Sequence, residues 1–221
     1  MQQEKAKLTE SPLFMGGLTA VAGFCGAYST LLYGTQSNGQ TGNTMKLGIT
    51  LAQGNFPAFL QSFCPLMACL AGVILCDAVR ESGNHPNGNW HKRTLLVELL
   101  ALVAVGFLPG STPALLGVSL MAMISGFQLN MFRAWYGGVH NTTICTGALR
   151  SLGHFIFSAF TQRNAKAIKT CLSYLGIFLC FPVGAALCTL LCPVFATRSV
   201  WFAALLVALW VVWVWKSDLD A

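Results

Sequence analysis

The chain is short of charge. Of its 221 residues only 9 % are Asp, Glu, Lys or Arg, while 55 % are hydrophobic; an average soluble domain is roughly 25 % charged. A compact soluble protein must clothe its surface in polar groups, so this scarcity excludes a soluble fold and makes lipid the main solvent. Motifs of catalysis are missing too. There is no CxxC pair, no Cys/His cluster at zinc spacing, no HExxH, no GxSxG and no phosphate-binding loop. Most of the nine cysteines, such as Cys64, Cys69, Cys76, Cys171, Cys180, Cys188 and Cys192, lie in apolar stretches and read as small buried hydrophobes rather than a disulfide framework. His85, His91, His140 and His154 stand in no ligand pattern. The expectation is therefore no enzyme, no cofactor and no metal. Thirteen Lys and Arg against seven acids give a net charge of +6, but no basic run is longer than Lys92-Arg93, so nucleic acid is excluded as a partner.

What is present is apolar helix. Six stretches stand out: Pro12–Tyr33, Pro57–Val79, Thr94–Pro109, Thr112–Phe132, Cys171–Phe195 and Ser199–Trp215. Set against the roughly 20 apolar residues that one crossing needs, they predict an all-α polytopic membrane protein with six transmembrane helices. The first is too long for the apolar region of a signal peptide and no cleavage site follows, so it reads as a retained helix.

Two shorter, less hydrophobic segments, Thr41–Gln53 and Thr146–Phe160, decide the topology. If neither crosses, one side of the membrane holds Lys5, Lys7, Arg80, Lys92, Arg93, Arg133, Arg150, Arg163, Lys166, Lys169 and Lys216, eleven of the thirteen basic residues, and the other only Lys46 and Arg198. Cytoplasmic loops are enriched in Lys and Arg. The charges thus favour six spans with both termini cytoplasmic and the two shorter segments re-entrant. An eight-span arrangement would put the basic 80–93 loop outside.

The two halves echo each other. Ala22-Gly23-Phe24 is repeated as Ser125-Gly126-Phe127, an offset of 103, and Thr41-Gly42 with Leu47-Gly48 as Thr146-Gly147 with Leu152-Gly153, an offset of 105. The reading is a tail of residues 1–11, a first three-span repeat over 12–110 with its short helix at 41–53, a second over 111–216 with its short helix at 146–160, and a tail of 217–221. An odd number of spans inverts the second copy. Chance recurrence in a chain of 22 glycines is the competing explanation.

Irregular backbone at membrane depth is tolerated where it is buried in protein or lines a water-filled cavity. Gln40, Thr41, Gly42, Asn43 and Thr44, with Thr143, Thr146 and Gly147, offer hydroxyls, amides and open backbone, and helix starts converging near the midplane would favour an anionic or carbonyl-bearing solute. Lys46 and Arg150 stand five and four residues beyond their threonines. Arg150 belongs to the site if it faces an anion; the plain alternative is that Thr and Asn cap two interfacial helices and both cations reach water. Gln128 and Asn130 read either as polar groups on a permeation path or as bonds between helices. Glu98, the one ionisable group well inside a span, reads as the partner of Arg93 or Arg133 or as a proton carrier.

Gln40-Thr41-Gly42-Asn43-Thr44 with Leu47-Gly48, Ala22-Gly23-Phe24, Gly126-Phe127-Gln128-Leu129-Asn130, Thr142-Thr143 and Thr146-Gly147 together resemble the YoaK-like family of uncharacterised bacterial membrane proteins, over Leu13 to Trp215. The resemblance implies a bacterial six-helix inner-membrane protein and brings no substrate. Cys25-Gly26 stands where many members are expected to carry Val-Asp, which removes an intramembrane carboxylate there. The functional expectation is passage of a small solute, by transport or channel-like conduction; the rival is a membrane protein that binds a partner or lipid without transporting. Membrane lipid is the expected surrounding. Six spans are half of a typical twelve-span carrier, so a homodimer is the size-based expectation.

Overall fold

The computed structural model describes residues 9–82, 90–132, 134–135, 138–139, 142–143 and 145–219, the side chains of 134–135, 138–139, 145–146 and 217–219 excepted. The described chain is helical: α1 (Pro12–Tyr33), α2 (Gln40–Ala52), α3 (Phe56–Ser82), α4 (Trp90–Gly106), α5 (Ala114–Met131), α6 (Cys145–Gln162), α7 (Ala165–Phe195) and α8 (Val200–Leu219). A two-residue antiparallel pair, Ala134–Trp135 with Gly138–Val139, lies between α5 and α6.

Local chemistry sets the ends of α1. The Ser11 side chain accepts from the Phe14 amide at 3.3 Å and Pro12 fills the first helical position, where its missing N–H costs nothing. Gly34 ends the helix in the left-handed region, φ +71°, and its N–H bonds the Thr30 carbonyl. The short α2 has no side-chain cap, because its N-cap is Gly39.

Among the described residues, four stretches are long and apolar enough to cross a membrane: Pro12–Tyr33, Phe56–Ser82, Ala114–Met131 and Ala165–Lys216. The last, of 52 residues, is broken by a 3-10 turn at Ala196–Ser199, where Ala196 has a φ of +48°, and so contains two helices, α7 and α8. These stretches are compatible with a multi-pass membrane protein. Helix α4, the expected third span, has only 17 residues and carries buried Glu98. Helices α2 and α6 stand where the two shorter segments were expected.

The inner helices are α1 and α5, each buried over more than half its length. Around them α1 packs along α7, α3 packs along α5, and α4 crosses α8. Glycine makes the first two crossings close. A Cβ on Gly23 would strike the Phe181 carbonyl, and one on Gly184 the Ala20 carbonyl; on the other side Gly126 meets the Cys69 carbonyl and Gly72 the Met123 carbonyl. Small residues let backbones approach where lipid supplies no hydrophobic drive between helices. These contacts recur at fixed spacing: Gly23 and Gly126 are 103 positions apart, as are Ala20 and Met123, while Gly72 and Gly184 are 112 apart, as are Cys69 and Phe181. Helix α2 lies on α3 as α6 lies on α7. Arg80 of α3 closes the end of α5, donating to the carbonyls of Asn130 and Met131 and lying 5.0 Å over the Trp90 ring.

Candidate functional site

Between the two glycine crossings lies a cavity of about 300 Å³. Its described walls come from six parts of the chain: the α1–α2 loop (Gln36, Asn38, Gly39), the start of α2 (Gln40, Thr41, Gly42), Cys69 of α3, Ser125 and Leu129 of α5, Phe181 of α7, and Thr143 from the segment before α6. Cys69 and Phe181 are the residues whose carbonyls touch Gly126 and Gly23. The mouth lies by Gln36 and Thr41, both exposed.

Hydrogen bonds fix the polar wall. The Ser37 hydroxyl lies 3.0 Å from that of Ser29 and 3.4 Å from that of Ser125, and the Ser37 amide donates to Ser29 Oγ at 2.9 Å. Gln40 Nε2 donates to the Ser37 carbonyl at 2.6 Å, and its Oε1 accepts from Asn43 Nδ2 at 3.1 Å. Asn38 reaches back to α1, where its Nδ2 donates to the Ala22 carbonyl at 3.3 Å. A Cβ on Gly26 would crowd that amide, so glycine at 26 makes room for Asn38.

Two polar atoms on the wall have no partner among the described residues. Asn38 Oδ1 and Thr143 Oγ1 make no hydrogen bond to any of them, although the residues are only 9 % and 4 % exposed. Buried polar groups are nearly always satisfied. The first amides of α2 point from a helix start that no side chain caps. Every described wall residue is uncharged.

The structure brings together four of the predicted site residues: Gln40, Thr41, Gly42 and Thr143 line the cavity. Asn43 is buried behind them on Gln40. Thr44 is exposed and bonds the Gln40 carbonyl of its own helix. Gln128 and Asn130 tie helices together: Gln128 Nε2 donates to the Leu18 carbonyl of α1 at 2.6 Å, Asn130 Nδ2 to the Val73 carbonyl of α3 at 3.3 Å. Gly147 and Arg150 are exposed on α6, away from the cavity wall. The Thr146 side chain lies outside the described residues, as do Arg133, His85 and His140. Sequence reasoning passed over Asn38, Ser125, Cys69 and Phe181. Gly26, beside the Asn38 amide, is a signal for Asn38 alone.

Glu98 sits apart. It is 1 % exposed, lies in a small apolar pocket with Leu75, Ala101, Met123, Ile124 and Phe127, and neither carboxyl oxygen has a hydrogen-bond partner among the described residues. Arg93, one expected partner, donates instead to the Ser82 carbonyl at 2.8 Å. Among the described residues no three His, Cys, Asp or Glu side chains gather as a metal site.

The model of the family described as protein of unknown function (DUF1275) matches residues 14–213, nearly the stretch that carries the sequence resemblance. The chain belongs to that family. No curated protein and no solved structure matches it.

Proposed function

We propose that this DUF1275 protein passes a small polar solute across a bacterial inner membrane through the cavity between its two halves. In this reading α1, α3, α4, α5, α7 and α8 are six spans, both termini are cytoplasmic, and α2 and α6 are re-entrant helices of two inverted three-span repeats. The carrying observation is the position of the cavity. It lies between two helix crossings built from the same pair of glycine contacts at constant offsets of 103 and 112, and Cys69 with Phe181, one residue from each crossing, shares its wall. Asn38 and Thr143 on that wall are 105 positions apart, the offset of the Thr-Gly motifs. Such a site lies on the axis relating the halves, where transporters built of inverted repeats hold their substrates. An irregular polar segment inside an apolar bundle is expected where it lines a wet cavity. The protein acts without chemistry on the solute, and its surroundings are membrane lipid.

The test is access. Thr41→Cys, at the mouth, is expected to react quickly with a membrane-impermeant thiol reagent added outside intact cells, in a position assigned by peptide mass spectrometry. Failure to react from outside, in folded and inserted protein, would contradict the topology and leave the binding of a surface partner as the better reading.

A further inference from the structure

We infer that the cavity takes a small uncharged solute carrying both a carbonyl-type acceptor and an N–H donor, of the amide or urea class, and excludes ions. The inference rests on the reading of the cavity as a solute site.

Three observations converge on it. First, among the described residues the wall holds no Lys, Arg, His, Asp or Glu. An ion leaving water for such a place finds no counter-charge, and an unpaired buried charge is among the costliest arrangements in a protein. Second, the two orphaned atoms differ in what they ask for. Asn38 Nδ2 is committed to the Ala22 carbonyl, so the free end of that amide is the acceptor Oδ1; it requires a ligand that donates. A carboxylate, stripped of its proton, has nothing to give it. Third, Thr143 Oγ1 and the uncapped first turn of α2 offer donors, which suit a carbonyl oxygen at the positive end of a helix dipole. An ammonium-type cation would serve Asn38 and be repelled there. A molecule with C=O and N–H on neighbouring atoms meets both demands, and about 300 Å³ is at the small end of ligand pockets.

The probes are acetamide, acetate and methylammonium, close in size and different in charge. Purified full-length protein carrying Thr41→Cys is labelled with N-ethylmaleimide, and the modified cysteines are quantified by mass spectrometry, with Cys171 of α7, outside the cavity wall, as the internal reference. Acetamide is expected to slow labelling at position 41 severalfold relative to Cys171, acetate and methylammonium to leave it unchanged, and Thr143→Val or Asn38→Leu to remove the protection. In proteoliposomes, light scattering is expected to show acetamide entering severalfold faster than into protein-free vesicles. Protection without faster entry leaves the solute class standing and sinks the transport reading. Faster entry of acetate or methylammonium, with none of acetamide, keeps transport and overturns the solute class. Absence of both signals, with water permeation alone raised, overturns the inference, since the orphaned atoms are then served by water.

Discussion

A methyl group on Gly126 has nowhere to go, because the Cys69 carbonyl already occupies its place, and Gly23 is in the same position against Phe181. Gly126→Ala and Gly23→Ala are each expected to destabilise the folded protein by about 1–3 kcal/mol, the usual cost of overpacking, read as a lower thermal midpoint in detergent. Gly48 and Gly176 are helical with nothing within 4 Å of a built Cβ, so alanine there should be neutral or gain about 0.5–1 kcal/mol from reduced backbone freedom. Equal behaviour of the two pairs would show that the crossings are looser than described. Glu98 gives the opposite kind of prediction. With both oxygens buried and without a partner among the described residues, Glu98→Leu should raise the midpoint, since the desolvation cost of an unsatisfied group is about 1–3 kcal/mol. A fall would reveal a partner for the carboxyl. The pairing with Arg93 that the sequence offered as one alternative fails for a local reason: Arg93 lies at the exposed start of α4 and is satisfied by the Ser82 carbonyl, while Glu98 is turned towards α3 and α5.

At the scale of elements, the helices were largely legible. A span that meets lipid on one side and apolar neighbours on the other is apolar all round, so its limits appear as plain changes in hydropathy; Pro12–Tyr33 was read to the residue. The two shorter helices were marked by lower hydropathy and their Thr-Gly starts, and they run Gln40–Ala52 and Cys145–Gln162. The site was only half legible. Its first-half wall includes the predicted Gln40, Thr41 and Gly42, but the matching Gly147 stands open on α6. Which loop residue turns inward depends on the path of the backbone between helices, and hydropathy carries no record of that path. Asn38 lies on the cavity wall where Gly26 leaves room for its amide, and Ser125 lies there against the Ser37 hydroxyl of the same loop. If α2 and α6 enter the membrane from opposite faces, Lys46→Cys should react with an impermeant thiol reagent only from outside and Arg150→Cys only from the cytoplasmic side in inverted vesicles. Reaction of both from one side would contradict the inverted arrangement.

For the molecule as a whole, scarcity of charge and its eleven-to-two placement across the proposed membrane are one fact seen twice. A chain that keeps charge out of the middle of its apolar stretches must carry it at their ends and in loops, and those ends have a side. Reporter fusions after residue 83 and at the C-terminus are expected to read cytoplasmic, and a fusion after Gly110 to read external. The inner pair α1 and α5, the outer pair α7 and α3, and the α4–α8 crossing make a bundle in which each half completes the other, with the cavity between. The central claim is that this cavity is a path for solute, and Gly42 tests it most directly. Gly42 lines the cavity and a Cβ there meets nothing within 4 Å, so Gly42→Phe has room to start its side chain and is expected to fill the space with the fold intact. The measurement compares internal and external small molecules in cells that lack the protein, produce it, or produce folded, membrane-inserted Gly42→Phe. The prediction is that at least one small polar solute is distributed differently when the protein is present and that Gly42→Phe restores the pattern of cells without it; a Gly42→Phe pattern identical to that of the unaltered protein would contradict it.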